Sequence, residues 1–379
     1  MEPVTHFLTG ACLGRAGLNR RTALATFTAF LAAEAPDIDV LWHFAGPVPS
    51  FAHHRGITHT LVAAPVMALV SLAAAFWLHR LYSGIPFIKR RRERLAHPPQ
   101  PIHWPWLYLT ALIATLSHLA LDFTNNYGLR PFFPFNPRWY SLDLVFIAEP
   151  LLWAVFLAAI FFPWLLSLAD SEVGVRAPRF RGRIWAIFAL SFMAALWCWR
   201  WAEHAHARTL VETGSLTQEN IRRVALMPYP VNPFRWHAIL QTDSGFLTAE
   251  VNSRTDELVS DPKLDYLAYP AITPASLAAR RTPLAQVYLD WSSWPVVRDL
   301  GPRHAPGFAP LDLPPSQPWT NVEFCDLRFA YRSVHNSFSM APPEESLAHQ
   351  ISTAPLCGYV YIANSSQEAG QFLNGREQK

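Results

Sequence analysis

Up to about residue 201 the chain is a succession of apolar runs separated by short Arg-rich or Pro-rich joints; from about Glu203 onward it is polar, contains proline throughout and has no long apolar run. Crossing a hydrocarbon core of about 30 Å as a helix takes roughly 20 residues. Residues 61–81, 104–123 and 146–168 meet that length, and 184–201 is shorter but still apolar enough. Two upstream segments, 5–18 and 22–35, are short for full spans and read as tilted, half-inserted or packed helices. Downstream, 236–240 and 246–251 alternate in the manner of strands, with Thr242, Asp243, Ser244 and Gly245 as the hairpin turn between them. Residues 322–331 and 356–362 read as further strands, and 276–280 and 284–291 as short helices. The pattern therefore predicts an α-helical polytopic membrane domain over residues 1–203, followed by a small α+β soluble domain over 204–379.

Composition changes this picture little, because 16% charged and 51% hydrophobic residues average two unlike halves. A net charge of +3, without a basic stripe interleaved by aromatics, argues against nucleic acid as a partner. The opening MEPVTHFLTG lacks a basic region followed by an apolar core and a small-residue cleavage site, so targeting is expected to fall to the hydrophobic segments themselves. Membrane lipids are the partners this composition implies; it identifies no protein partner.

Lys and Arg in short loops mark the cytoplasmic side. Lys89, Arg90, Arg91, Arg92 and Arg94 follow the 61–81 run, and Arg176, Arg179, Arg181 and Arg183 precede the 184–201 run, two crossings later. Arg15, Arg20 and Arg21 agree with both. That orientation carries His6, Asp37, Asp39, His54, His59, Asp122 and Asp143 to the opposite, outer face, with the C-terminal domain extracytoplasmic. The expected location is a bacterial inner membrane.

Ionisable groups at the ends of apolar spans are expensive to place and point to a functional site. His118 and Asp122 stand four apart on a helical run and share one face. Asp37 and Asp39 follow Pro36, which breaks the helix at Ala35, so one carboxylate can turn to a metal while the other orients or bridges. His54 and His59 flank Arg-Gly-Ile-Thr, in which Gly56 permits a tight turn, Thr58 can cap the following helix, and Arg55 offers a planar fork for phosphate or carboxylate. Asp143 lies just before the 146–168 run and Glu149 in its first turn, where the helix dipole also favours acids. Imidazoles mixed with carboxylates suit a borderline divalent metal, zinc first, with manganese or iron also accommodated. The cysteines show no metal-ligand spacing; Cys325 and Cys357 both fall in the outer domain, where an oxidising compartment permits a disulfide. No Gly-x-Ser-x-Gly elbow or Gly-x-x-x-x-Gly-Lys loop is present.

The strings THFLTG, PDID, HRGITHT and HLALDFTNNYGLRPFFPFNPRWYSLDLVFIAEP, in this order and spacing over residues 1–168, resemble the YdjM family of membrane-bound, predicted metal-dependent hydrolases. The resemblance implies metal-ligand roles for His6, Asp37, Asp39, His54, His59, His118 and Asp122. One departure is visible: Glu149-Pro150 stands where the family usually has Asp-Pro, which keeps the charge and lengthens the reach.

The expected chemistry is metal-dependent hydrolysis at the outer membrane face. Asp143, Glu149 or the carboxylate of the Asp37/Asp39 pair not engaged by metal would be the base, and Arg55 would neutralise a substrate anion. A phospholipid or lipid-linked phosphoester fits the location. The alternative is a metal-stabilised scaffold or transport protein without hydrolytic activity.

Overall fold

The computed structural model describes residues 1–85, 100–172, 180, 182–302, 319–332, 346–363, 367–373 and 376–378. Lys89 to Arg94, and Arg176, Arg179 and Arg181, on which the expected orientation rests, lie outside these residues. The chain divides into two compact units, Met1–Asp39 with Arg55–Arg200, and Val40–His54 with Trp201–Lys379. The sequence kept Val40–His54 with the membrane helices; the structure groups it with the C-terminal residues. Helix α3 (Pro47–His53) explains this, because its buried Phe51 packs on Tyr288 at 5.9 Å and Trp291 at 5.2 Å between ring centroids.

In the first unit, α1 (Pro3–Arg15) and α2 (Ala25–Glu34) precede the four helices that, among the described residues, are long and apolar enough to cross a membrane: α4 (Ala64–Ser83), α5 (Trp104–Thr124), α6 (Pro150–Glu172, apolar through Leu168) and α7 (Arg183–Thr213), the last of which runs on into the second unit from Trp201. These are the four expected spans with shifted ends. The first starts at Ala64 rather than residue 61, because Thr60 accepts the Ala63 N–H through its hydroxyl and residues 57–59 form a 3-10 turn. Thr58 is therefore not a helix cap. Helix α5 is central: 56% of its apolar window is buried, against 22–28% for the others, which leave most of their surface for lipid.

Small residues let the short helices approach closely, as packing inside a membrane requires. Gly10 and Gly14 of α1 face α2: a Cβ on Gly10 would stand 2.6 Å from the Ala29 carbonyl oxygen, and one on Gly14 would stand 2.5 Å from the Thr26 Cα. Behind them, Ala29, Ala32 and Ala33 of α2 pack with Ala68 of α4 and with Ala111 and Ala114 of α5. A larger apolar cluster joins Leu8 and Cys12 of α1 to Leu152, Phe156 and Ala159 of α6 and Ala186, Ala189 and Met193 of α7.

The second unit holds two antiparallel sheets. The first runs β1 (Arg223–Pro228), β2 (Arg235–Gln241), β3 (Gly245–Asn252), β4 (Glu257–Val259), with β5 (Tyr266–Ala268) also on β3. The second runs β10 (Arg376–Gln378), β9 (Gln367–Leu373), β8 (Gly358–Ala363), β7 (Trp319–Asp326), β6 (Pro295–Pro302). The expected hairpin forms, with Thr242 N–H donating to the Gly245 carbonyl at 2.9 Å. The strand expected over 322–331 ends at Asp326, because that carboxylate accepts the Arg328 N–H at 2.9 Å and starts a 3-10 turn, Leu327–Phe329. Cys325 and Cys357 form a disulfide. Glu250 is buried with Tyr229, His237 and Arg235 on its oxygens at 2.9–3.1 Å. Burial works against its charge, yet the His237 hydrogen bond and the charges of His237, Arg235 and Arg332 outweigh it and hold the carboxylate below its usual range.

Gly10→Val is expected to force α1 from α2 by overpacking, a cost of about 1–3 kcal/mol or more since the clash is with backbone. A lowered unfolding midpoint of the detergent-purified protein checks this, whereas an exposed control such as Val4→Ala should leave the midpoint unchanged.

Candidate metal centre

Four ligand-bearing side chains from three stretches of the first unit converge. Among the described residues, Asp37, His59, His118 and Asp122 each offer one atom within 4.8 Å of all the others. Helix α2 ends at Glu34, just before Pro36, and a 3-10 stretch, Ala35–Ala45, places Asp37 and Asp39. His59 closes a short 3-10 turn, Ile57–His59. His118 and Asp122 occupy one face of the central helix, with Nε2 of the first 3.4 Å from Oδ2 of the second.

The hydrogen-bond partners assign the protons. His118 Nδ1 lies 2.6 Å from the Ala33 carbonyl, which only accepts, so the proton is on Nδ1 and the Nε2 lone pair points inward. His59 Nδ1 lies 3.4 Å from Asp39 Oδ2 and 3.1 Å from the Thr58 hydroxyl, and with the proton on Nδ1 its Nε2 also turns a lone pair inward. The two Nε2 atoms are 3.0 Å apart. Asp122 Oδ2 is 3.4 Å from each, is buried, and accepts no hydrogen bond. Asp37 Oδ1 completes the group at 3.2 Å from His59 Nε2 and 3.5 Å from His118 Nε2.

Electron pairs brought together in this way repel one another, and a cation turns the repulsion into binding. A first-row divalent ion held tetrahedrally at about 2.1 Å separates its donors by about 3.4 Å. Five of the six separations, at 3.0–3.5 Å, bracket that value, and all four atoms lie within 4.8 Å of one another. The cluster can therefore hold a metal ion. Asp37 is the one member open to solvent, its side chain 25% exposed against 0–1% for the other three.

A surrounding layer fixes these ligands, as metal sites require. Arg55 sits at φ 52, a conformation that costs a non-glycine residue about 1–3 kcal/mol. Its contacts hold it there. Its N–H donates to Asp39 Oδ2 at 2.7 Å, and its guanidinium donates to Asp122 Oδ1 at 2.9 Å, to Asn125 Oδ1 at 3.2 Å and to the Gly128 carbonyl at 3.0 Å, with Tyr127 stacked 4.7 Å away. Both terminal nitrogens are thus spent on a ligand and its loop, which corrects the expectation that this fork waits for a substrate anion. His6 stacks on His118 at 3.7 Å and places Nε2 3.3 Å from Asp122 Oδ1.

The remaining expected residues stand differently. Asp39 orients His59 instead of joining the four. His54 belongs to the second unit and is not among them. Glu149 is buried and engaged by Arg200 at 2.8 Å and by the Phe146 N–H at 3.2 Å, so it fastens α7 to the start of α6 and is not poised as a base. Asp143 is half-buried, with left-handed backbone at φ 54. Thr58 was expected to cap a helix and instead meets His59, while the Ala33 carbonyl, Asn125 and Gly128 were not expected; only the NNYG string hinted at the last two.

The family described as YdjM inner membrane protein has a model that matches residues 1–207. Among curated proteins, YfhP of Bacillus subtilis (strain 168), described as uncharacterized, is 27% identical over 168 residues, which covers 42% of this chain and 45% of YfhP. The match thus spans less than half the length of that relative. No solved structure matches this chain.

Replacing Asp39 with Asn, or Arg55 with Gln, is expected to leave all four ligands present while loosening their aim. Metal affinity measured by competition with a chelating dye should then fall about 10–100-fold. Unchanged affinity in both variants would mean that neither residue orients a ligand.

Proposed function

We propose, from the premise that this chain belongs to the YdjM inner membrane protein family, that it is a membrane-bound metal-dependent hydrolase whose divalent ion is held by Asp37, His59, His118 and Asp122. The observation that carries this reading is the convergence of two imidazole lone pairs and the unpartnered Asp122 Oδ2 in one buried spot. A donor set of two imidazole nitrogens and two carboxylates favours zinc, with manganese or iron as the nearest competitors. An ion bound there supplies Lewis acidity toward water and toward the bond to be cut.

The chain's own residues then have distinct tasks. His59 and His118 bind, each aimed by the partner of its Nδ1 atom. Arg55 and His6 hold Asp122 by Oδ1 and leave Oδ2 for the ion. Asp37 marks the solvent-open side and hence the direction of approach. Of the carboxylates considered as base, Asp143 is retained, since Glu149 is committed to Arg200 and Asp39 to His59 and the Arg55 N–H. The substrate we favour is amphiphilic, a phospholipid or lipid-linked phosphoester, because Asp122 lies within one turn of the end of a membrane-spanning helix at Thr124. An outer-face location for the site and the C-terminal unit is supported by the charge bias of the loops and by the Cys325–Cys357 disulfide, which suits an oxidising compartment.

The near-complete burial of three of the four ligands favours a second reading, a closed metal site that holds a scaffold together. Elemental mass spectrometry of the purified protein, beside a variant with His59→Ala and His118→Ala, separates the readings when joined to a melting curve and a phosphoesterase screen. The hydrolase reading predicts stoichiometric metal that is lost in a still-folded variant, together with lipid-phosphoester cleavage in the parent alone. A variant that unfolds and a parent inert toward every ester would support the scaffold. A parent that binds no metal when loaded would rule out both.

A further inference from the structure

The stretch joining α5 to α6 carries a feature that the metal site does not use. It is pinned as a hairpin: Leu129 N–H donates to the Tyr140 carbonyl at 3.0 Å, and Tyr140 N–H returns the bond at 2.9 Å. Its base is tied to the end of α5 through Leu142 N–H to the Phe123 carbonyl at 2.8 Å and Leu144 N–H to the Thr124 carbonyl at 2.9 Å. Arg130 stiffens the interior, with its guanidinium 5.1 Å from the Phe133 ring centre and 4.7 Å from that of Trp139. Leu61 N–H donates to the Pro131 carbonyl at 2.9 Å, which fastens the hairpin to the residues leading into α4.

From this braced base the tip turns apolar groups outward. Phe132 is 47% exposed and Phe135 is 83% exposed. Arg138, also exposed, lies with its guanidinium 5.5 Å from the Tyr140 ring centre. Both rings turn their apolar area outward from a firmly braced base. The hairpin leaves one membrane-spanning helix, enters a second and is bonded to the approach of a third, so its base lies at the membrane face. Aromatic and apolar side chains flanked by Arg and Tyr match the boundary between acyl chains and headgroups.

We propose that the hairpin over Leu129 and Tyr140 dips into the bilayer, with Phe132 and Phe135 among the upper acyl chains and Arg138 at the level of the lipid phosphates. The occupant of this surface is the bilayer itself, continuous with the lipid around α4, α5 and α6. The same hairpin base, at Asn125 and Gly128, receives the Arg55 guanidinium that holds Asp122. A lipid headgroup resting against the lip is therefore adjacent to residues that brace the metal ligands. The proposal stands whether or not the site hydrolyses anything.

A nitroxide attached at Phe135→Cys tests it in full-length protein carrying Cys12→Ala and Cys198→Ala, reconstituted in nanodiscs of phosphatidylcholine and phosphatidylglycerol. The same label at Asp256→Cys, where the native side chain is 64% exposed on the second unit, serves as the aqueous reference. The expected result is ready collision with dissolved oxygen and a severalfold lower collision rate with a water-soluble nickel complex than at the reference. Nickel accessibility equal to the reference would place the tip in water and overturn the proposal. Shielding from both reagents would mean that protein covers the tip, which overturns it as well. The label at Phe132→Cys gives an independent reading should the Phe135→Cys protein melt below its parent.

Discussion

Two imidazole nitrogens presenting lone pairs to each other at 3.0 Å, with a carboxylate oxygen 3.4 Å from both, form the contact on which the membrane unit is organised. Uncompensated, such an arrangement is repulsive in a low-dielectric interior, where electrostatic terms are large. The chain nevertheless builds it from several directions. The Ala33 carbonyl fixes one ring, Asp39 and Thr58 fix the other, and Arg55 anchors Asp122. So much positioning around mutually repelling atoms makes a cluster that can hold a cation.

Packing makes those directions possible. Helix α2 is too short to cross a bilayer, yet it supplies the Ala33 carbonyl and leads directly to Asp37. It reaches α5 only because both present alanine where they meet, and it reaches α1 only because Gly10 and Gly14 have no Cβ. Close approach by small residues replaces the hydrophobic driving force that lipid cannot provide. The convergence of the ligands is thus set by glycines and alanines that contribute no ligand atom of their own.

Much of this was legible in the sequence. Apolar length gave the four spans, and i,i+4 spacing on one of them gave His118 and Asp122. Pro36 gave the helix break that frees Asp37. The division of labour was not legible, because it depends on which atom of each group meets a partner. Nothing in the PDID string distinguishes a ligand from the residue that orients His59. Arg55 looked available because a sequence cannot show that its fork is already occupied. His54 stands five positions from His59, but Phe51 draws its helix to the aromatic residues of the other unit. In the C-terminal unit, β1 and β6 escaped notice because Arg-Val-Ala-Leu-Met-Pro and Pro-Val-Val-Arg-Asp-Leu-Gly-Pro do not alternate, and β6 carries a bulge near its end.

The most direct test of the central claim is X-ray absorption spectroscopy at the edge of the metal that the purified protein retains. The account predicts two imidazole nitrogens and carboxylate oxygens in the first coordination sphere at about 2.0–2.2 Å, with the outer-ring scattering that imidazole gives. Sulfur in that sphere, or oxygen alone without imidazole, would place the metal elsewhere and contradict the assignment of His59 and His118.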